Sequence, residues 1–187
     1  MIYDKSLLRK KLLLKRKKYY NEKIIFPFNK IINLVNKKFK NKKVSIAGYY
    51  PINFEVNVLN FLLKLNSKRI QTCLPIIQKN HKMKFVKWQP DESLYLDNYG
   101  IPEPKRNNKR LYPDIILVPL VGYDYKLNRL GYGAGFYDRA LKKLSLNKKI
   151  ITIGIGFSFQ KTSRIPINKN DFALDFILNE KELIYKR

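Results

Sequence analysis

An α/β fold of three layers, α/β/α, with a mostly parallel sheet in a single domain, follows from three observations. Short continuous apolar runs, Val44 to Tyr49, Asp114 to Pro119 and Ile150 to Gly156, read as strands covered on both faces. Helical patterns alternate with them, and Val44 to Tyr49, Glu55 to Leu65 and Arg69 to Leu74 form a strand, helix, strand unit, the signature of a parallel sheet. The 187 residues suffice for one domain with a real core and are short for two, so residues 1–187 are read as one unit.

Taken in order, Asp4 is placed to cap a helix running to about Tyr20. Leu7, Leu8, Leu12 and Leu13 are expected to form its apolar stripe, with Lys5 and Arg9 one turn apart on a common face. A second helical stretch, about Glu22 to Phe39, carries Ile24, Ile31, Ile32, Leu34 and Val35, and Pro27 breaks or delays its start. After the strand at Val44 and the turn at Pro51, the run Glu55 to Leu65 sets Val58, Leu59, Leu62 and Leu63 at helical spacing. The strand Arg69 to Leu74 follows, then Met83 to Trp88, antiparallel or at an edge because the connection before it is short. Gln89 to Pro113 is rich in Pro, Asn, Asp, Lys and Arg and reads as a long surface excursion of the kind that is often functional. Asp114 to Pro119 returns as a central strand. Gly135 to Leu144 forms a helix with Phe136, Tyr137, Ala140, Leu141 and Leu144 inward, Ile150 to Gly156 is a further strand, and Phe176 to Leu178 a last short one. No internal repeat or linker is visible.

Composition narrows the function classes. With 45% apolar residues spread along the chain, disorder is excluded as a description of the whole. No apolar run approaches the roughly 20 residues of a membrane span, and the N-terminal segment lacks a signal-peptide pattern, so a cytoplasmic protein without membrane contact is expected. Cys73 is the only cysteine and reads as a small buried hydrophobe. His81 is the only histidine, and with so few candidates a Cys/His zinc site or a histidine-based triad is not expected. Lys and Arg number 39 against 14 Asp and Glu, a formal charge of +25 that invites a nucleic-acid reading. The lysines nevertheless occur in nearly every segment beside abundant Asn and Ile, as an A/T-rich coding sequence would place them at solvated positions. No specific nucleic-acid partner is expected, and the chain is read as a monomer.

The chemistry concentrates in Arg129-Leu130-Gly131-Tyr132-Gly133-Ala134-Gly135-Phe136-Tyr137-Asp138-Arg139, between an apolar strand and an amphipathic helix. Alternate glycines let backbone approach a ligand, and the free amides and dipole of a helix N-terminus favour an anion: together they make a phosphate cradle. Arg129 and Arg139 bracket it, and Asp138 offers a hard oxygen suited to Mg²⁺. The plain alternative is a tight turn with an Asp–Arg surface pair. The segment is neither a Walker A sequence nor a dinucleotide fingerprint.

This segment, preceded by Val118-Pro119-Leu120-Val121-Gly122-Tyr123-Asp124, resembles the signature of the 5-formyltetrahydrofolate cyclo-ligase family, the methenyltetrahydrofolate synthetases. Further matches run in order: Lys5-Ser6-Leu7-Leu8-Arg9, Pro51 with Glu55, Tyr99-Gly100-Ile101-Pro102-Glu103-Pro104, Gly154-Ile155-Gly156-Phe157-Ser158 with Gln160, and Ile165-Pro166 with Asp171. The resemblance implies ATP-dependent closure of 5-formyltetrahydrofolate to 5,10-methenyltetrahydrofolate, with ADP and phosphate released after phosphorylation of the formyl oxygen. It places ATP on Lys5, Ser6, Leu7, Leu8 and Arg9 and on Arg129, Leu130, Gly131, Tyr132, Gly133, Ala134, Gly135, Phe136 and Tyr137. It places Mg²⁺ on Asp138 and Asp171, and the reduced folate on Tyr50, Glu55 and residues of the glycine loop. Arg9 and Arg129 are then the expected electrostatic catalysts, and the surplus lysines raise the question of a polyglutamate tail.

Each residue has a duller reading: Lys5 and Arg9 as solvated helix charges, Glu55 as a first-turn helix acid, Asp171 as a turn cap, and Tyr50, Trp88 and Tyr99 as core or rim aromatics. Two positions depart from the family pattern. Ala134 stands where glycine is common and requires a negative φ, and Phe136 replaces a tyrosine and its hydroxyl. The rival functions are another phosphate-handling enzyme or a non-ligase paralogue on this fold, and a basic RNA-binding protein, which leaves the glycine loop unexplained.

Overall fold

The structure, a computed structural model, describes residues 4–40, 42–65, 69–78, 82–89 and 91–186, and His81 lies outside the described residues. In chain order the elements are α1 (Lys5–Tyr19), α2 (Asn29–Phe39), β1 (Val44–Ala47), α3 (Leu59–Leu65), β2 (Ile70–Gln78) and β3 (Lys82–Lys87). The two-residue strands β4 (Tyr95–Leu96), β5 (Pro102–Glu103) and β6 (Arg110–Leu111) follow, then β7 (Ile115–Pro119), β8 (Gly122–Tyr123) and β9 (Arg129–Leu130). The chain closes with α4 (Phe136–Asn147), β10 (Ile151–Ile155), β11 (Phe176–Leu178) and β12 (Leu183–Tyr185).

An eight-stranded sheet in the order β12-β11-β10-β7-β1-β2-β3-β6 carries the fold. The middle five strands, β11 through β2, are parallel, and β12, β3 and β6 add antiparallel edges. The sheet is therefore mixed and mostly parallel. Side-chain alternation separates its two faces. Val44, Ile46, Ile115, Leu117, Ile153 and Ile155 meet Ile31 and Val35 of α2 and Phe61 and Leu62 of α3. Ala47, Ile116, Val118 and Ile177 meet Leu141 and Leu144 of α4 on the other side, which gives the three layers.

The connections fix the position of the site. β1 passes through α3 to β2 on one side, whereas β7 passes through α4 to its neighbour β10 on the other. β1 and β7 are adjacent, so the winding reverses between them, and a crevice opens beyond their carboxyl ends. Tyr49 and Tyr50 leave β1 there, and Pro119 ends β7 there.

Several elements differ from the sequence expectation. In α1, Leu12 is buried with Val121, Leu130 and Ile165, and Leu8 and Leu13 pack beside it, but Leu7 is exposed. Leu7 is turned roughly 100° from Leu8 around the helix and so misses the stripe. α2 begins only at Asn29, after Pro27, and α3 begins at Leu59, whose amide is taken by the Asn57 side chain at 2.9 Å. Glu55 therefore precedes α3 instead of starting it. β2 continues to Gln78, and β4, β5 and β6 within the 89–113 excursion, with β8, β9 and β12, were not expected, being too short to show a period; β6 joins the edge of the main sheet.

Leu117 is fully buried in a central strand under α2 and α3. Leu117→Ala is expected to destabilise the protein by about 2–5 kcal/mol, read as a lower urea midpoint at unchanged slope.

Candidate functional site

A cavity of about 780 Å³ occupies the crevice, walled by one face of α1, the segment after β1, residues 97–103 of the long excursion, the loop between β9 and α4, and residues 168–171. The glycine loop is held from below by Arg129, a buried guanidinium that donates to Asp138 Oδ1 at 2.8 Å and to the Phe172 carbonyl at 3.1 Å. Burial pulls the guanidinium below its ordinary range, and Asp138 opposes that pull. Gly133 has φ 110° and Gly135, the N-cap of α4, has φ 68°, conformations open mainly to glycine. A β-carbon at Gly133 would also stand 3.5 Å from the Arg9 guanidinium. Ala134 is not among the residues of positive φ, so alanine is accommodated there without strain. Phe136 sets its ring edge-on to Tyr99 with centroids 6.0 Å apart, which joins the loop to the excursion.

From the opposite side, α1 supplies cations. Lys5 Nζ pairs with Asp171 Oδ2 at 2.6 Å, and Arg9 Nε donates to the Gly131 carbonyl at 2.8 Å. Arg16 is buried and donates through Nη1 to the Leu120 carbonyl at 3.0 Å and through Nη2 to the Tyr132 hydroxyl. Lys5 and Arg9 line the cavity and are not free helix charges. Ser6, Leu7 and Leu8 do not line it: the Ser6 amide is taken by the Asp4 cap, Leu7 faces solvent, and Leu8 packs with Leu12. Arg16 escaped sequence reasoning because it stands among the exposed Lys15, Lys17 and Lys18. Its spacing of seven from Arg9, which sets both on one helix face, was the available signal.

Glu55 reaches the cavity through an unusual turn. Asn53 and Phe54 adopt φ 48° and 62°, left-handed values that are costly for a phenylalanine. The turn closes when Glu55 N donates to the Ile52 carbonyl and Ile52 N donates to Glu55 Oε2, each at 3.0 Å. The carboxylate is only 5% exposed, and Oε1 has no hydrogen-bond partner among the described residues. Burial pushes its pKa up to about 7, opposed by the Ile52 amide, the Arg16 charge and Tyr132. The first-turn helix reading of Glu55 is thereby replaced. Tyr50 lines the same cavity, as does Tyr137, whose buried hydroxyl has no hydrogen-bond partner among the described residues.

Asp138 and Asp171 both line the cavity, and each has one oxygen engaged. Asp138 Oδ1 takes Arg129 and the Phe172 amide, and Asp171 Oδ2 takes Lys5 and the Asn168 amide. Asp171 also closes the 168–171 turn, as the duller reading had it. Among the described residues no three His, Cys, Asp or Glu side chains gather as a ready-made metal cage. The remaining carboxylate oxygens suit a partly hydrated Mg²⁺ that arrives with phosphates, the usual mode for that ion. Sequence reasoning missed the apolar wall of Pro75, Ile77 and Met83, which suits a flat ring. Trp88 is a core aromatic, and the buried Cys73 thiol donates to the Ile46 carbonyl at 3.6 Å, so neither belongs to the site.

A cavity of this make at the switch point of a parallel sheet places the chain among α/β enzymes that handle phosphorylated ligands. The model of the 5-formyltetrahydrofolate cyclo-ligase family matches residues 1–180, and the chain belongs to that family. Two bacterial 5-formyltetrahydrofolate cyclo-ligases are similar to it. The one from Haemophilus influenzae is 31% identical over 79% of this chain and 80% of its own, and that from Mycoplasma genitalium is 31% identical over 94% and 97%. The solved 5,10-methenyltetrahydrofolate synthetase of Aquifex aeolicus superposes with a TM-score of 0.75 at 30% identity, covering 97% of this chain and 92% of that one. The Mycoplasma pneumoniae synthetase superposes at 0.70 and 29%, covering 95% and 99%. The chain is thus a 5-formyltetrahydrofolate cyclo-ligase, a ligase acting on folate in one-carbon metabolism, of an ATP-dependent family.

Glu55 makes the site costly for stability. Its folded pKa lies above its unfolded one, so the folded state holds the extra proton between about pH 4.5 and 7 and loses stability as pH rises through that window. Glu55→Gln is expected to be more stable than the natural protein at pH 8, by up to about 3 kcal/mol, with the gap closing below pH 4.5. Denaturant titrations at pH 4 and pH 8 measure this. Gly133→Val is expected to weaken ATP binding by at least about tenfold, measured by calorimetry, because the side chain meets both a disfavoured φ and Arg9.

Proposed function

We propose that the chain closes 5-formyltetrahydrofolate to 5,10-methenyltetrahydrofolate by first transferring the γ-phosphoryl group of ATP to the formyl oxygen. N10 of the folate then attacks the activated carbon, and the former formyl oxygen departs within phosphate. The observation that carries this reading is one cavity lined by the cations of α1, by a glycine-rich helix start and by a buried carboxylate, one of whose oxygens has no hydrogen-bond partner among the described residues.

No enzyme nucleophile is needed for such a sequence. The protein aligns formyl oxygen and γ-phosphate and stabilises the charge that spreads over the transferring group. Lys5 and Arg9 serve the phosphates from α1, and the amides of the glycine loop serve them from below. Arg129, held rigid by Asp138 and Phe172, supplies a fixed positive field at the loop's base. Glu55 orients the pterin by accepting hydrogen bonds from its amino-pyrimidine edge, with Tyr50 beside it. Asp138 and Asp171 would hold the Mg²⁺ that accompanies ATP, and the ion would neutralise phosphate charge. In this reading the protein works in the cytoplasm as a monomer, and a polyglutamate tail on the folate would meet the lysine-rich surface.

Substrate labelled with ¹⁸O in the formyl group tests the chemical sequence. The label is expected in the released phosphate, and its appearance in water instead would overturn formyl phosphorylation. Absorbance of the methenyl product should grow only when ATP is present. Arg9→Ala should lower kcat/KM for ATP by about 10²-fold and leave the melting temperature little changed.

A further inference from the structure

Of the two buried cations among the described residues, Arg129 is paired with Asp138, whereas Arg16 is paired with no carboxylate. An unpaired buried charge is costly, and a core position on α1 facing an apolar cluster would ordinarily carry leucine. Arg16 is instead tied to two points. Nη1 holds the Leu120 carbonyl just beyond β7, and Nη2 holds the Tyr132 hydroxyl of the glycine loop, with the guanidinium carbon 5.6 Å from the Tyr132 ring centre. Its Nε has no hydrogen-bond partner among the described residues.

Tyr132 lines the cavity together with Glu55. A tyrosine oxygen that accepts from arginine keeps its own proton available for an acceptor. The groups that face Glu55 are Arg16 from α1, Tyr49 after β1, Tyr132 from the glycine loop and Tyr137 from α4, besides the Ile52 amide of its own turn. Burial raises all three tyrosines above their usual range, so they stay neutral around pH 7. Arg16 is then the only charge among them.

We infer that Arg16 is a positioning residue for the folate site, one that holds the Tyr132 hydroxyl beside Glu55 and supplies the positive field that keeps Glu55 a hydrogen-bond-accepting carboxylate. This rests on the reading of Glu55 as the pterin ligand. It also links Glu55 to the loop assigned to ATP, to which Tyr132 belongs.

The test is the pH dependence of 5-formyltetrahydrofolate affinity without nucleotide, measured by calorimetry from pH 5.5 to 8.5. Four proteins are compared: the natural sequence, Glu55→Gln, Arg16→Met and Tyr132→Phe. Affinity of the natural protein should rise with pH to a plateau, as Glu55 ionises. Glu55→Gln should bind weakly, leaving only the ligand's own titration. Arg16→Met should move the midpoint upward by about one pH unit, since an opposite charge of this kind shifts a carboxylate by about that much or more. Tyr132→Phe, which keeps the ring and loses only the hydroxyl, should move it upward by less. If Glu55→Gln keeps the natural profile, the Glu55 reading itself fails. If Glu55→Gln flattens the profile while Arg16→Met and Tyr132→Phe keep the natural midpoint, Arg16 is merely structural and the inference is overturned. Should Arg16→Met fail to fold, Tyr132→Phe decides by the same criterion.

Discussion

Because α1 crosses the open end of the sheet, three cations on it reach three separate parts of the chain: Lys5 reaches Asp171, Arg9 the Gly131 carbonyl, and Arg16 the Leu120 carbonyl with Tyr132. Each contact is to a backbone, carboxylate or hydroxyl oxygen outside the strands of the main sheet. Charge-assisted bonds of this kind are among the stronger polar interactions, and two of the three cations, Lys5 and Arg9, line the cavity. The glycine loop draws on two of them, through the Gly131 carbonyl and the Tyr132 hydroxyl.

The pocket is held in a state that costs stability. Among the described residues, Glu55 is buried with one oxygen unpaired and Arg16 is buried without a carboxylate, and the two residues before Glu55 take left-handed backbone conformations. Such features persist where the surrounding core over-determines them and where a ligand later satisfies them. The apolar faces of the sheet, filled from α2, α3 and α4, supply that surrounding rigidity.

The high positive charge looks different once the acids are located. Asp4 caps α1, Asp97 takes the Tyr99 and Ile101 amides, and Asp124 takes the amides of Lys126, Asn128 and Ile165. Asp175 and Glu180 take Thr152 and Ser158. These carboxylates are fixed by local structure, because a buried or turn amide needs an acceptor. Exposed positions carry no such demand, and lysine has spread over them. That pattern agrees with the charge arising at solvated sites.

The layered parallel fold, the order of its central strands and helices along the chain, and most of the polar residues that line the cavity are legible in the sequence alone. These rest on local signals: continuous apolar runs, helical spacing, and the glycine motif that resembles one family. Lys5, Arg9, Tyr50, Glu55, Arg129, Asp138 and Asp171 stand in or beside those motifs, and all line the same cavity. What only the tertiary structure decided is how they are used. Asp138 and Asp171 are engaged by Arg129 and Lys5, Glu55 comes from a strained turn and not a helix, and Ser6, Leu7 and Leu8 stand off the cavity. Arg16 shows the physical reason most plainly. In a run of basic residues, burial of one is decided by which face of the helix the distant Leu120 and Tyr132 meet; the spacing from Arg9 marks the face but not what meets it.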